Sequence, residues 1–578
     1  MKRALCRTLP ILLGLAAAAL GQEDVVVKAM RDELARSMAQ LRMENLAKPY
    51  FIAYWIDDTN AAMVSATLGQ LTASNEGRSR MLAVQVRVGD YMLDNTNFVS
   101  GRPGSVGIRA LPLDDDYDEI RREIWLATDA EYKQAGAALA AKESALQRRK
   151  NLSALLGDFT RQDPVTVNEP ATRLKIDVPA LEKLARELSA VFRGYPEILS
   201  SGVQITASNA TTRLLNSEGT FATAVRPFVQ LQVGARSQAT DGAPVEDSFR
   251  VCGRSLDALG SDELLARTRA LLARVNALRA APALGRYNGP VLFEDEAGAQ
   301  VVAQVFAPAV SAMRIPVSGD PHVETQIQQV FDQFGVSLAD RLGARVLPEG
   351  FDVTDNPLLA TFAGVPLVGS RAIDLEGVPA RETKLVGNGW LTALLATRTP
   401  TAEAGASTGS ASTPGMAAPS NLVLTARKPR TATQLRQELL RIAHQRGAKF
   451  GVVVRHVGDS ELNGLLRLVN SRMSADGGGG TIAAYMVFDD GHEELARAEI
   501  APVPVAAFKD IVAAGDKPGV YHIGSLLFMG SVTGGAPSVS WSSYIVPPLL
   551  FEEASLKQPT GPSPTSPVVP SPMAGGAR

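Results

Sequence analysis

The first half of the chain alternates between helical and strand-like patterns of apolar residues. Val26, Met30 and Leu34 recur at helical spacing and Pro49 follows them, which predicts an amphipathic helix near the start. The same criterion predicts further helices at 117–151, 178–192 and 256–280. Apolar runs between the helices predict strands at 50–56, 62–71, 81–92, 203–207, 212–215 and 227–236. This part of the chain is therefore predicted to be a mixed α/β domain.

The pattern changes after a joint rich in Pro, Ala and Gly at 281–289. Helices are predicted after Glu296 and at 324–334, and short apolar runs separated by Gly and Pro follow. These runs predict strands at 345–353, 364–373, 381–385, 390–397, 450–457, 482–488 and 524–532. Their spacing indicates a large, mainly antiparallel structure, sandwich or barrel-like. The segment 399–420 consists mostly of small residues and is predicted to be a mobile loop.

The fold class predicted from both halves is α+β. Residues 22–281 are predicted to form the N-terminal α/β domain and residues 285–556 the mainly antiparallel β C-terminal domain. Pro, Ser and Gly dominate residues 558–578, which predicts a disordered tail. A chain of 578 residues is long enough for two or three domains.

The amino terminus has the composition of a cleaved signal peptide. A basic start, an apolar run at 9–20 and the small residues Ala19 and Gly21 predict cleavage after residue 21. We therefore expect export to the periplasm or the extracellular space, with no membrane segment afterwards; an uncleaved anchor helix is the alternative. Cleavage would remove Cys6 and leave Cys252 as the one thiol, expected to be a small buried residue with no internal disulfide. Net charge is −2, from 58 basic and 60 acidic residues, which argues against a nucleic-acid partner.

The stretch 289–300 is the strongest candidate for a functional site. An apolar run ending at Phe293 leads into a helix-favouring run that begins with Glu294, Asp295 and Glu296. Strand-to-helix junctions bring backbone ends and side chains together, and binding sites are common there. No G-x-S-x-G elbow, phosphate-binding loop or dinucleotide fingerprint is present in a suitable setting.

Several stretches in order resemble the metallopeptidase family called TldD/PmbA. They are the D-x-E-G-x-P turn at 373–379, the strand and turn at 384–389, the loop at 407–409, the strand entry at 419–424 and the turn at 216–219. In that family the strand-to-helix junction carries a His-Glu-x-x-x-His zinc motif. On this alignment Asp295 stands at the first histidine, Glu296 at the catalytic glutamate and Gln300 at the second histidine.

The resemblance implies a fold of the TldD/PmbA type, but the family's zinc ligands are absent from this chain. The family's third ligand is a cysteine late in the chain, whereas Cys252 lies before the joint. We therefore expect no metal cofactor, although Glu296 keeps the position of the catalytic base. The alternative is an active metallopeptidase that holds zinc or another divalent ion through replacement ligands, Asp295 and His522 among them.

The family also implies two kinds of subunit, one with zinc and one without, paired around a chamber. This chain resembles the second kind. We expect a non-catalytic peptide-binding or partner subunit of a proteolytic complex, in a homo- or hetero-oligomer with a zinc-bearing homologue. Its ligand would be a flexible peptide bound in extended form. A stand-alone exported binding or scaffold protein is a further alternative.

Overall fold

The computed structural model describes residues 24–44, 46–99, 107–148, 156–170, 172–256, 260–334, 337–458, 481–526 and 539–559. The predicted signal peptide and nearly all of the predicted tail lie outside the described residues. So does the second part of the strand predicted at 524–532.

The N-terminal part is built on one large sheet with helices on one face. The strands are β1 Pro49–Thr67, β2 Gln70–Val88, β3 Phe98–Val99, β4 Gly107–Ala110, β5 Thr166–Asn168, β6 Ser200–Asn216, β7 Phe221–Gln238 and β8 Pro244–Gly253. The helices are α1 Val25–Gln40, α2 Tyr117–Gln147, α3 Val178–Ala190, followed by a 3-10 turn Val191–Gly194, and α4 Ser261–Ala280. The sheet runs in the order β4-β2-β1-β6-β7-β5, and β8 pairs with β7. Short β3 lies apart and pairs in parallel with Val317–Ser318 of the second half.

Several strands in this sheet are longer than the sequence predicted, among them β1 and β6. The prediction separated 50–56 from 62–71, but β1 continues through the polar residues Asp57 and Asp58. Asp58 pairs with Arg80 on β2 (2.7 Å) and Asp57 accepts a hydrogen bond from Thr212 on β6 (2.5 Å). Strands on both sides thus satisfy the carboxylates that looked like a break. Strand β6 also pairs with β7 without interruption, so it includes both runs that were predicted as separate strands, 203–207 and 212–215.

The C-terminal part contains two six-stranded sheets. The strands are β9 Tyr287–Phe293, β10 Val317–Ser318, β11 Phe351–Asp355, β12 Thr361–Phe362, β13 Val365–Pro366, β14 Thr383–Gly387, β15 Trp390–Leu391, β16 Ala411–Thr413, β17 Met416–Ala417, β18 Asn421–Ala426, β19 Gly451–Val454, β20 Ile482–Val487, β21 Glu493–Ile500, β22 Ile511–Ala514, β23 Gly519–Leu526, β24 Val539–Val546 and β25 Leu549–Lys557. One sheet has the order β15-β14-β11-β18-β24-β23 and the other β21-β20-β19-β9-β25-β22. Most neighbours are antiparallel, with parallel pairs at β9–β19 and β18–β24.

A buried helical segment packs in one core with both sheets. It consists of α5 Asp295–Val301, a π-helical turn Val302–Phe306 and α6 Ala307–Ala309. Its apolar residues pack with Phe293 and Val454 of one sheet and with Val353 and Tyr544 of the other. From Ala297 onward most residues of the segment are apolar and buried, as expected of a helix that is covered on all sides. This segment therefore sits at the centre of the C-terminal core.

The remaining helices are peripheral. They are α7 Pro321–Phe334 and α8 Ala432–Gln445, with 3-10 turns at Ala339–Arg341 and Val505–Asp510. Helix α8 covers the outer face of the β9 sheet through Leu435 and Leu439. No helix within the described ranges is both long and apolar enough to cross a membrane. The predicted α+β class, with mainly antiparallel sheets in the second half, is confirmed.

The prediction of a mobile loop at 399–420 is wrong. Thr408, Ser410 and Ala411 are buried, and two buried carboxylates hold the segment by accepting hydrogen bonds from its backbone. Asp374 accepts from the Ala411 N–H (3.0 Å), and Glu376 accepts from the Gly415 N–H (2.8 Å). Small side chains let this segment pack closely, so its composition reflects burial rather than mobility.

Candidate functional site

The candidate site lies where two parallel strands end side by side. Val291, Leu292 and Phe293 of β9 pair with Val452, Val453 and Val454 of β19. Carboxyl ends of parallel neighbours meet at one edge of a sheet, and sites collect there. The residues that follow β9 are therefore neighbours of those that follow β19. The Glu294 N–H donates to the Val454 carbonyl (2.9 Å), and the Ala297 N–H donates to the Arg455 carbonyl (3.1 Å).

This arrangement brings His456 to the predicted catalytic position. Its Nδ1 lies 3.3 Å from Glu296 Oε2 and 3.4 Å from Gln300 Nε2. The side chains of Glu296 and His456 are partly exposed, at 24% and 30%. Asp295, one residue earlier, is exposed and has a φ of 48°, a left-handed conformation that Asp tolerates better than most residues.

Gln300 points away from solvent and uses its amide on the protein itself. Only 1% of the residue is exposed, and its Oε1 accepts a hydrogen bond from the Val457 N–H (2.6 Å). One turn further along, Gln304 Nε2 donates to the Gly458 carbonyl (2.8 Å). Two successive backbone groups after β19 are thus bound by two buried amides from the central helix.

A compact ion-pair network borders the same strand ends. Arg455 contacts Glu493 (2.8 Å) and Glu294 (3.3 Å), and Arg436 contacts the same two glutamates (2.8 and 3.5 Å). The Arg455 guanidinium also lies 4.3 Å from the ring centroid of Tyr485. The charges of two arginines therefore balance those of two glutamates, and none of these contacts neutralises the charge of Asp295 or Glu296.

Strand β23 brings the predicted alternative ligand His522 to the same cleft. His522 Nδ1 lies 3.1 Å from Ser543 Oγ on the neighbouring strand β24. Burial, and secondarily the charge of Arg254, lowers the pKa of His522 to about 4, so its imidazole is neutral near pH 7. Burial raises the pKa of neighbouring Tyr521, and the Asp295 and Glu296 carboxylates raise it further, so its phenol stays protonated.

A cleft of about 1130 Å³ lies between the two halves of the chain. Asp295, Glu296, His456 and His522 contribute to one wall, and strands β6 to β8 with helix α4 form the other. Residues 246–252 of β8 line it without interruption. Within the described residues β8 pairs with β7 alone, so its second edge has no strand partner there. A strand edge of this kind offers backbone donors and acceptors to an added strand.

The residues at the motif do not fit the zinc ion that the family resemblance implies. Zinc takes converging nitrogen, sulfur or carboxylate ligands. No group of three or more His, Cys, Asp or Glu side chains suited to a metal ion occurs in the described part of the chain. Gln300 is already bound to Val457, and Cys252 is buried on β8 in the opposite wall. Asp295 and His522 line one cleft but form no such group there.

Sequence reasoning missed His456 and Gln304. Nothing in the sequence shows that the strand ending at Phe293 pairs with the strand ending at Val454, because the two are far apart along the chain. Once that pairing is known, His456 is expected beside Glu296, since each residue follows its strand at a similar distance. Gln304 carried a weaker signal, a polar residue one turn after Gln300 in an otherwise apolar helix.

Comparisons with known proteins agree with this architecture. Residues 285–555 match the PmbA/TldA metallopeptidase C-terminal domain. A curated protein of Methanothermobacter thermautotrophicus, described as a metalloprotease, is 29% identical over 237 residues, which cover 39% of this chain and 46% of that protein. The match therefore spans less than half of the length of that relative.

Two solved structures share the fold over nearly the whole chain. TldE from Thermococcus kodakarensis superposes with a TM-score of 0.57 at 13% identity, covering 92% of this chain and all of that one. A candidate modulator of a DNA gyrase from Thermotoga maritima gives 0.57 at 16% identity, covering 91% of this chain and all of that one. At such identities the likeness establishes the fold alone. Residues 285–555 are therefore a C-terminal domain of the TldD/PmbA metallopeptidase family, within a chain that has the fold of these two structures.

Proposed function

We propose that this protein is an exported, zinc-less member of its family that binds flexible peptides and completes a proteolytic complex with a zinc-bearing homologue. The observation that carries the proposal is Gln300, whose buried amide binds the Val457 backbone at the position of the family's second histidine. A neutral amide already engaged in this way is a poor zinc ligand. The chain would therefore hold a peptide rather than cleave it.

The cleft supports a peptide as the ligand. Its volume of about 1130 Å³ suits an extended segment, and it is lined by β8, which pairs with β7 alone among the described strands. Extended peptides add to such an edge through backbone hydrogen bonds, which makes binding largely independent of sequence. Export rests on the amino-terminal composition, a basic start followed by an apolar run and a small-residue cleavage site.

Metal content and peptide binding of residues 22–578 test the proposal. Elemental analysis after zinc supplementation should find almost no zinc, and unfolded casein should not be cleaved. Fluorescein-labelled oxidised insulin B chain should bind, as measured by fluorescence anisotropy. The same peptide with alternate amides N-methylated should bind at least about tenfold more weakly, because it lacks the backbone donors.

Three results would contradict the proposal in whole or in part. Stoichiometric metal, with peptidase activity lost in both Glu296→Gln and His522→Ala, would establish the replacement-ligand peptidase instead. Peptide binding without association with any zinc-bearing homologue would leave the stand-alone binding protein. Unchanged affinity for the N-methylated peptide would exclude pairing with a strand edge.

A further inference from the structure

We propose that Gln300 and Gln304 are positioning residues that fix residues 455–458 after β19, so that Arg455 and His456 form part of the cleft wall. The effect on peptide affinity rests on the proposed peptide-binding function, whereas the effect on the backbone does not.

The two amides bind consecutive residues, one as a hydrogen-bond acceptor and the other as a donor. Gln300 accepts from the Val457 N–H (2.6 Å), and Gln304 donates to the Gly458 carbonyl (2.8 Å). The ladder of β19 with β9 ends at Val454. The backbone groups at Val457 and Gly458 therefore lie beyond the sheet and bind side chains instead.

Burial explains why these contacts are specific. Gln300 and Gln304 are 1% and 4% exposed within a helix whose other buried residues include Val301, Val302 and Val305. A buried amide without a hydrogen-bond partner is unfavourable, as is a buried backbone group. Here each side-chain contact satisfies a backbone group as well, so moving the segment would disrupt both.

The two contacts, from Gln300 to Val457 and from Gln304 to Gly458, form a clamp that determines where His456 lies. The backbone on one side of His456 is bound through the Arg455 carbonyl, which accepts from the Ala297 N–H (3.1 Å). On the other side it is bound through Val457 to Gln300. With both neighbours attached to the central helix, the imidazole is held next to Glu296, which belongs to the same helix.

Replacements of Gln300 that differ in one property test this inference. Gln300→Met keeps the size of the side chain but removes the acceptor, whereas Gln300→Glu keeps an acceptor for the Val457 N–H. Gln445→Met, on the exposed end of α8, is the matched control. Hydrogen exchange followed by mass spectrometry measures protection of the peptide that contains Val457, and circular dichroism confirms folding.

We expect exchange at Val457 to rise about tenfold in Gln300→Met, as for the loss of one buried hydrogen bond, and to stay near wild type in Gln300→Glu and Gln445→Met. Affinity for the labelled insulin B chain should fall in Gln300→Met and recover in Gln300→Glu. Should Gln300→Met not fold, Gln304→Met removes the donor to the Gly458 carbonyl and should raise exchange at the neighbouring Val457 N–H. Unchanged protection in Gln300→Met, or equal loss in Gln300→Glu, would overturn the clamp. If wild type does not bind the peptide, the proposed function is wrong. The exchange data still test whether Gln300 and Gln304 fix the backbone at Val457 and Gly458.

Discussion

Replacing Asp374 with asparagine should change how stability depends on pH, with an effect that reverses in sign between pH 5 and pH 8. Asp374 is buried in the D-x-E-G turn and accepts hydrogen bonds from the N–H groups of Glu376, Val378 and Ala411. Burial, and then the neighbouring Glu376 carboxylate, raises its pKa to about 7 from an ordinary 3.8.

The direction follows from proton counting. Between about pH 4 and pH 7 the folded protein keeps a proton on Asp374 that the unfolded chain releases. The free energy of unfolding therefore falls as pH rises through this window. A difference of about three pH units corresponds to about 4 kcal/mol, at about 1.4 kcal/mol per unit.

Asparagine removes this titration at the expense of one contact. Its oxygen still accepts from Glu376 and Val378, but its NH₂ group faces the Ala411 N–H and leaves that donor unsatisfied, which costs about 1–3 kcal/mol. The variant should thus be less stable than wild type at pH 5. At pH 8, where wild type carries the full penalty of the buried charge, the variant should be more stable.

Urea denaturation at pH 5, 6, 7 and 8, followed by tryptophan fluorescence, measures both effects. Trp55 is a local reporter because its Nε1–H donates to the Leu375 carbonyl (2.8 Å) in the same turn. Asp340→Asn, at an exposed carboxylate, is the control and should leave the slope unchanged. Equal slopes for wild type and Asp374→Asn, or stability that rises with pH over this range, would refute the reasoning.

Three further predictions concern a contact between the halves, a closely packed glycine in the C-terminal half and the cleft. Arg398→Met should lower the free energy of unfolding by about 3–5 kcal/mol, because it leaves the Glu218 carboxylate without the guanidinium that binds it at 2.7 Å. The double variant Arg398→Met with Glu218→Gln should recover part of this stability in the same urea assay. Gly409→Ala should lower the melting temperature, since Gly409 has a φ of 73° and a Cβ there would lie 2.4 Å from a carbonyl oxygen. Gly405→Ala, where the added methyl group meets open space, should leave the melting temperature unchanged. Peptide affinity, measured by anisotropy between pH 6 and pH 8, should have the same pH profile in His522→Asn as in wild type. The reason is that His522 has a pKa of about 4 and stays neutral over this range. A profile that differs between the two proteins would contradict this prediction.

The sequence was most informative where periodicity is local. The helix through Val26, Met30 and Leu34 forms as predicted, as does the turn at Asn216, because both depend on neighbours along the chain. It was least informative where polar residues are satisfied by distant partners. Asp57 and Asp58 looked like the end of a strand until their partners Thr212 and Arg80 were known.

The candidate site shows the same division. The strand-to-helix junction at Asp295 and Glu296 was recognisable from apolar residues before it and helix-favouring ones after it. His456 could not be placed, because its position depends on the parallel pairing of β9 with β19. The segment at 399–420 was misread because small residues suit both an exposed linker and a tightly packed one, and only the carboxylates of Asp374 and Glu376 distinguish them.

The central helical segment has an evolutionary consequence. Apolar packing with both C-terminal sheets holds it in place, and only its first residues reach the cleft. Substitutions at those first residues can alter chemistry without removing any of the contacts that stabilise the core. A lineage with this fold can therefore change the side chains that face the cleft and keep a folded C-terminal core on which further selection can act.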